Sequence, residues 1–348
     1  MPERRFLVVR LGSLGDIVHT FPAVAALRES FPDSEIIWLT QPRWKLLVAT
    51  SGLVSKIWTA ETRALSSLMK TIREIRAAAF DVAIDYQGLW KSASLPFLAG
   101  IKRRIGFASV REVGVPLLYT DPVHATSTHV ADQNGELSLR AGALSPVADF
   151  NLQPPPKDDE ALFKYLSTRG VERYIVLTPG GGWRSKCWPA ERFGKLCRMI
   201  RDSLSLRCVV NYGPGEDDLA AQVRDASSDT DPLLFNGELG PLMSLLRNAI
   251  CVVGGDTGPL HLAVALGTPV VALFGPTNPA RNGPYRDANR SSANKAPSKS
   301  VINREDIVLR APNVTTTHSR EDRTHPSMLE IHPDAVFEAV RRIVKARA

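Results

Sequence analysis

Three stretches of this sequence set glycines beside ionisable side chains at spacings suited to chemistry on an anionic ligand. The first is Leu11, Gly12, Ser13, Leu14, Gly15 and Asp16, followed by His19, Thr20 and Pro22. It lies directly behind the β-branched run RFLVVR, where a strand must turn into a helix. Glycines at such a turn let backbone amides approach a ligand. Asp16 has two compatible uses there: it can N-cap the helix, and as a carboxylate kept ionised by the helix dipole it can serve as a general base. The spacing is not GxGxxG and no acidic residue closes the second strand, so a dinucleotide fingerprint is not met.

The second stretch runs from Thr178 through Pro179, Gly180, Gly181, Gly182, Trp183, Arg184, Ser185 and Lys186 to Cys187, Trp188 and Pro189. A glycine run, a lysine and a proline-marked helix start can wrap backbone donors and an ammonium around a phosphate. GxxxxGK[ST] is absent, which excludes a Walker A loop. The third stretch is Gly254, Gly255, Asp256, Thr257, Gly258, Pro259, Leu260 and His261, continuing to Phe274, Gly275, Pro276 and Thr277. Its turn aims a helix N-terminus, carrying the amides of Thr257 and Gly258 and the His261 ring, at a diphosphate, with Asp256 beside the sugar. A lone histidine in an apolar helix is more often packed core, but His261 stands near the helix start. Between these stretches, Asn211 to Asp218 follows another strand, and a carboxylate among Glu216, Asp217 and Asp218 could accept both ribose hydroxyls or cap the helix after an ordinary turn.

These residues need a scaffold that brings strand ends together. RFLVVR, EIIWLT (35–40), VAID (82–85) and RIGF (104–107) alternate with amphipathic stretches, which is the rhythm of a parallel α/β sheet. Gln153, Pro154, Pro155 and Pro156 interrupt it and mark a linker near 151–157. A second series follows: YIVL (174–177), RCVV (207–210), PLLF (232–235), ICVV (250–253) and PVVALF (269–274). The expected organisation is therefore two Rossmann-like, doubly wound domains facing a central cleft. They span 1–153 and 154–332, with a helix over 333–348 that uses Pro333 as N1. No regular structure is expected between Asp287 and Pro326.

Length and composition agree, since 348 residues at 44% hydrophobic exceed one ordinary core. Cys187, Cys197, Cys208 and Cys251 form no CxxC pair, so neither disulfides nor a zinc site is expected. RFLVVR is too short for a signal-peptide core and no run reaches 18 apolar residues. The chain is thus expected in the cytoplasm, with peripheral contact at the inner face of a membrane left open. The net charge of +7 does not point to nucleic acid, because residues 281–325 hold 9 Lys+Arg against 5 Asp+Glu in a polar, loop-like stretch.

GDIVHTFP (15–22), SKCWP (185–189) and DTGPLHLAVALGTPVVALFGPT (256–277) together resemble the lipopolysaccharide heptosyltransferases of glycosyltransferase family 9. DVAIDYQGLWKSA (81–93) and KRRIGF (102–107) resemble the type I enzymes more than the type II. The resemblance implies a GT-B fold, an ADP-heptose donor, a Kdo-lipid A acceptor at the membrane surface, and inversion with no cofactor and no essential metal. It implies Asp16 as catalytic base, with Lys186, Thr257, Gly258 and His261 holding the donor phosphates and Thr178 and Ser185 also in the donor site. Asp256 would meet the heptose, Glu216 the ribose, and Ser13, Gly15 and Lys91 the acceptor. TPGGGWRS departs from the Thr- or Ser-rich stretch common before the lysine, which bears on the phosphate contacts. Two other readings fit the same residues: a related transferase for another nucleotide sugar or surface glycan, and a non-catalytic nucleotide-binding protein.

Overall fold

The computed structural model describes residues 4–61, 65–144, 150–286, 306–312, 314–317 and 321–347. The chain divides into two compact units, Met1–Gln153 and Pro154–Ala348. In the first unit the strands are β1 (Arg5–Val9), β2 (Glu35–Thr40), β3 (Lys56–Thr59), β4 (Val82–Asp85), β5 (Arg103–Phe107) and β6 (Asp121–Val123). All pair in parallel, in the order β3-β2-β1-β4-β5-β6. The second unit repeats the scheme with β7 (Tyr174–Thr178), β8 (Arg207–Asn211), β9 (Leu233–Phe235), β10 (Val252–Gly255), β11 (Val270–Phe274) and β12 (Ile307–Arg310), ordered β12-β11-β10-β7-β8-β9.

The chain winds outward from β1 to β3 and returns to lay β4 beside β1; it winds outward from β7 to β9 and returns with β10 beside β7. Each sheet therefore has a switch point, where loops leave neighbouring strands in opposite directions and open a crevice at the carboxyl ends. Helices on both faces leave the central strands wholly buried, as β7 and β11 are along their full length.

Aromatic side chains anchor both cores. Phe21 and Trp38 pack at 5.4 Å in the first unit, and the Trp38 indole N–H donates to the carbonyl of Arg10 at 3.2 Å, fixing the chain as it leaves β1. In the second unit Trp188 meets Phe193 edge-on at 4.9 Å and donates to the Ile331 carbonyl at 2.9 Å. That bond ties the Ala190–Leu204 helix to the chain entering the terminal helix, Pro333–Ala346. Val336, Val340 and Ile343 of the terminal helix complete the same core.

β12 corrects one expectation, since Ile307–Arg310 pairs in parallel with β11 inside a stretch read as irregular. It is an edge strand between polar flanks, where no alternation of burial announces it. Arg286 and Asp306 bracket the chain ahead of it as an ion pair. Asp306 Oδ1 also accepts from Arg286 Nη2 at 2.9 Å and from the Val270 amide at 3.1 Å. The intervening residues 287–305, and with them much of the stretch between Asp287 and Pro326 expected to be irregular, lie outside the described residues. Among the described residues no helix is long and apolar enough to cross a membrane.

Candidate functional site

The first group forms at the β1/β4 switch point. Ser13, not Asp16, is the N-cap of the short Leu14–Val18 helix, and Asp16 is its third residue. Asp16 Oδ2 accepts from the Ser13 amide at 3.0 Å and from the Ser13 hydroxyl at 2.9 Å, the first being the back-bond that the third helical residue makes in a capping box. Its other oxygen meets Arg10 Nη2 at 2.7 Å. Arg10, which the sequence offered only as the end of a strand, is 8% exposed while the Asp16 side chain is 45% exposed. Its Nη1 donates to the Tyr86 carbonyl behind β4, and Gln87 Oε1 accepts from the Leu11 amide at 2.7 Å, so the two loops of the switch point are laced together. Partial burial opposes ionisation of Asp16. The Arg10 charge and the Ser13 donors outweigh it and hold the carboxyl below the usual range.

β4 ends in Asp85, a fully buried carboxyl accepting from the amides of Gln87 (2.9 Å) and Gly88 (3.4 Å), the Ser92 hydroxyl (2.9 Å) and the Tyr119 hydroxyl (2.8 Å). Burial raises its pKa in spite of these donors. Gly106 explains part of the RIGF motif, because a Cβ there would lie 2.3 Å from the Tyr119 ring that crosses the strand to reach Asp85. Of the residues assigned to the acceptor, Ser13 and Gly15 share the helix start with Asp16. Lys91 is an exposed second residue of the Trp90–Leu98 helix, and no contact joins it to Asp16.

The second group forms at the β7/β10 switch point. Thr178 of β7 stands opposite Gly254 of β10, and a Cβ on Gly254 would lie 1.8 Å from the Thr178 hydroxyl oxygen. A Cβ on Gly255 would lie 2.9 Å from the Lys186 carbonyl oxygen. Two glycines read from sequence as part of a turn thus belong to the strand. They let the lysine-bearing turn, Arg184–Lys186, close against it. Lys186 Nζ lies 3.7 Å from Asp256 Oδ2, and His261 Nε2 is 3.0 Å from Asp256 Oδ1. Asn282 Nδ2, which sequence reasoning missed for want of any spacing signal, reaches Asp256 Oδ2 at 3.5 Å.

The Asp256 side chain is 7% exposed and the Lys186 side chain 14%. Burial raises the Asp256 pKa, but the His261 hydrogen bond, the Lys186 charge and Asn282 overcome this and hold the group well below the carboxylate range. An ionised Asp256 only accepts, so His261 Nε2 carries the proton between them.

Thr257 is the N-cap of the Gly258–Ala265 helix, yet its side chain makes no capping bond. Its buried Oγ1 has no hydrogen-bond partner among the described residues. The helix N-terminus therefore keeps its positive end uncovered next to a lysine, an arrangement that favours an anion. A Cβ on Gly181 would lie 3.3 Å from Thr257 Cγ2 and 3.9 Å from Lys186 Cε, so the glycine run faces the same place.

Its amides are not all available to a ligand, however. Gly181 donates to Glu216 Oε1 at 3.1 Å and Gly213 donates to Glu216 Oε2 at 2.8 Å, so the carboxylate knots two strand-end loops. Ser185, in the same turn as Lys186, is buried, and its carbonyl accepts from the His325 amide at 3.1 Å. The described residues contain no cluster of three or more His, Cys, Asp or Glu able to hold a metal.

With this geometry in hand, likeness to known proteins is informative. The family model described as glycosyltransferase family 9 (heptosyltransferase) matches residues 68–309. The chain is 27% identical over 318 residues to lipopolysaccharide heptosyltransferase 1 of Escherichia coli K12, covering 86% of this chain and 96% of that protein. It is 29% identical over 299 residues to lipopolysaccharide heptosyltransferase 1 of Pseudomonas aeruginosa, covering 81% of each.

Among solved structures, Escherichia coli ADP-heptose lipopolysaccharide heptosyltransferase II superposes with a TM-score of 0.79 at 19% identity, covering 99% of this chain and 100% of that one. Escherichia coli heptosyltransferase WaaC with ADP superposes with a TM-score of 0.71 at 21% identity, covering 98% of each. The fold, one doubly wound parallel sheet in each of two units, is GT-B.

Proposed function

From the premise that the chain belongs to glycosyltransferase family 9 and is therefore a glycosyltransferase, we propose that it transfers heptose from ADP-heptose to the Kdo of lipid A during synthesis of the lipopolysaccharide inner core. Unit 1 takes the acceptor and unit 2 the nucleotide sugar. The observation that carries this reading is the Lys186, Asp256 and His261 cluster beside the uncapped start of the Gly258–Ala265 helix. A buried lysine and a helix N-terminus at one switch point match a diphosphate in charge and donor geometry. The relatives named lipopolysaccharide heptosyltransferase 1, 27% and 29% identical, support the type I reading, and Kdo is the acceptor that the resemblance of the sequence motifs implies for it.

In the reaction the acceptor hydroxyl attacks the anomeric carbon from the face opposite the phosphate. A C–O bond forms there, the bond to the β-phosphate oxygen breaks, and ADP departs with the electron pair, so the centre inverts. Asp16 takes the hydroxyl proton. One of its oxygens is held by Arg10 and the other by Ser13, and because a carboxylate offers about four lone-pair sites, acceptor capacity remains. Charge accumulating on ADP meets Lys186 and the amides at the start of the Gly258–Ala265 helix. Donors fixed where charge develops act in the transition state without reorganising. Asp256, already ionised, is placed for the heptose hydroxyls, and Glu216 for the ribose.

The lowered pKa of Asp16 gives a pH dependence. A base that titrates below the usual range stays ionised into acid, so kcat/KM falls only as the pH drops through that lowered value. Replacing Arg10 by Gln removes the charge that favours the carboxylate, and the acid limb of the kcat/KM profile is expected to move to higher pH. A limb that stays in place removes Arg10 from this role.

The function is tested by incubating the purified chain with ADP-heptose and Kdo-lipid A and following the acceptor by mass spectrometry. One added heptose is the expected product. An unmodified acceptor, with ADP-heptose bound, would shift the assignment to another acceptor. A thermal-shift panel of ADP-, GDP- and UDP-sugars reads the donor independently, because ligand at 100 times its Kd stabilises by about 2.7 kcal/mol.

A further inference from the structure

Twelve large apolar side chains stand more than a third exposed among the described residues, and five of them, Trp90, Phe97, Leu98, Val113 and Leu117, lie on the Trp90–Leu98 helix and the segment 111–118 beside it. Val113 is 94% exposed and Leu117 84%. Such clustering is unlike the scattered single residues that any surface carries.

The scaffold beneath them is ordered. The Glu112 carboxylate accepts from the Trp90 amide at 2.6 Å, and a Cβ on Gly114 would lie 3.1 Å from the Trp90 ring. Ala93, Val115 and Tyr119 are packed together below, with the Tyr119 hydroxyl on Asp85. Arg104 joins the far end, donating to the Leu118 carbonyl at 2.7 Å with its guanidinium 5.3 Å from the centre of the Phe97 ring. Trp90 and Phe97, seven residues apart, share a helix face. The apolar groups are thus held outward by a braced platform.

The rim of this platform is cationic. Lys91, Lys102 and Arg111 are exposed, and none has a carboxylate partner among the described residues. The nearby acids are occupied, Glu112 by the Trp90 amide and Asp121 by Arg103 and Arg140. An apolar centre with an aromatic and unpaired cations around it matches a bilayer surface, where hydrocarbon enters the interface and lysine or arginine meets anionic headgroups. A second copy of the chain fits less well, because a two-fold contact would set these cations against their own duplicates.

We propose that the face formed by Trp90, Phe97, Val113 and Leu117, with Lys102 and Arg111 at its rim, docks this chain on an anionic lipid bilayer. This rests on the reading that the acceptor is a lipid, and it deepens that reading. Lys91 follows Trp90 in the same first helical turn, so the membrane anchor and the residue assigned to the acceptor are adjacent on one rigid element.

The test is co-sedimentation of the full chain with vesicles of phosphatidylcholine alone and of phosphatidylcholine with phosphatidylglycerol. Binding is expected only to the second, weakening as salt is raised. Val113→Asp combined with Leu117→Asp is expected to lower partitioning at least tenfold. Lys102→Ser combined with Arg111→Ser should remove the dependence on anionic lipid. Both double variants alter exposed side chains and are expected to keep the parental Tm and ADP affinity.

Equal binding to both vesicles, or parental binding by either double variant, overturns the proposal. So does a dimeric mass in solution that the Val113/Leu117 variant halves, which would make the occupant a second copy. Activity on a detergent-dispersed acceptor separates the two readings. Transfer without vesicle binding removes only the docking face, and vesicle binding without transfer removes only the function.

Discussion

Asp16→Asn is expected to leave ADP-heptose affinity unchanged and to remove transfer. Lys186, Asp256 and His261 belong to the other unit, so the substitution leaves the residues assigned to the diphosphate intact. The amide has almost no basicity, and a positioned general base contributes about 10² to 10⁴ in rate. The new side chain also sets its NH₂ group, or its uncharged oxygen, against the buried Arg10 guanidinium, so the whole capping arrangement weakens at once. Calorimetry with ADP-heptose and single-turnover transfer measure the two halves separately. Turnover within tenfold of the parent would take proton abstraction away from Asp16.

Lys186→Ala is expected to act on the other half, weakening ADP binding by about 10- to 100-fold. That range follows from about 1.5–3 kcal/mol for a hydrogen bond to a charged group and tenfold per about 1.4 kcal/mol. The change also strips Asp256 of its cation, leaving His261 and Asn282 to hold a buried carboxylate. The informative comparison is ADP against adenosine. If Lys186 answers the diphosphate, the penalty is large for ADP and vanishes for adenosine. An equal loss for both ligands would mean that the substitution has disturbed the pocket as a whole.

Much of this arrangement was legible in the sequence because buried parallel strands announce themselves as β-branched runs. EIIWLT and VAID match β2 and β4 residue for residue. Three of the four edge strands were not legible, PLLF at β9 being the exception. Lys56–Thr59 has no buried face to alternate, Asp121–Val123 carries a proline that only an edge strand accepts, and Ile307–Arg310 is flanked by charge. Gly254 and Gly255 looked like a turn because glycine has no strand preference, yet close packing against Thr178 and Lys186 demands them inside β10.

At the site, local spacing was informative and its interpretation was incomplete. Ser13 three residues before Asp16 is a capping-box spacing, which makes Ser13 the cap and frees Asp16 from that role. The glycine run at 180–182 was read as donors for phosphate, whereas the Gly181 amide serves Glu216, thirty-five residues away. Arg10 and Asn282 were illegible for the same reason: each acts through a contact that only the folded chain creates.

The pairing of Arg286 with Asp306 has a consequence for how the last strand is placed. The guanidinium also binds the carbonyls of Val264 (3.1 Å) and Thr268 (2.8 Å), so Arg286 and Asp306 are both bolted to the chain just ahead of β11. The clamp thus sets where the chain re-enters the sheet, so β12 takes its register against β11 from an ion pair that lies outside the strand itself.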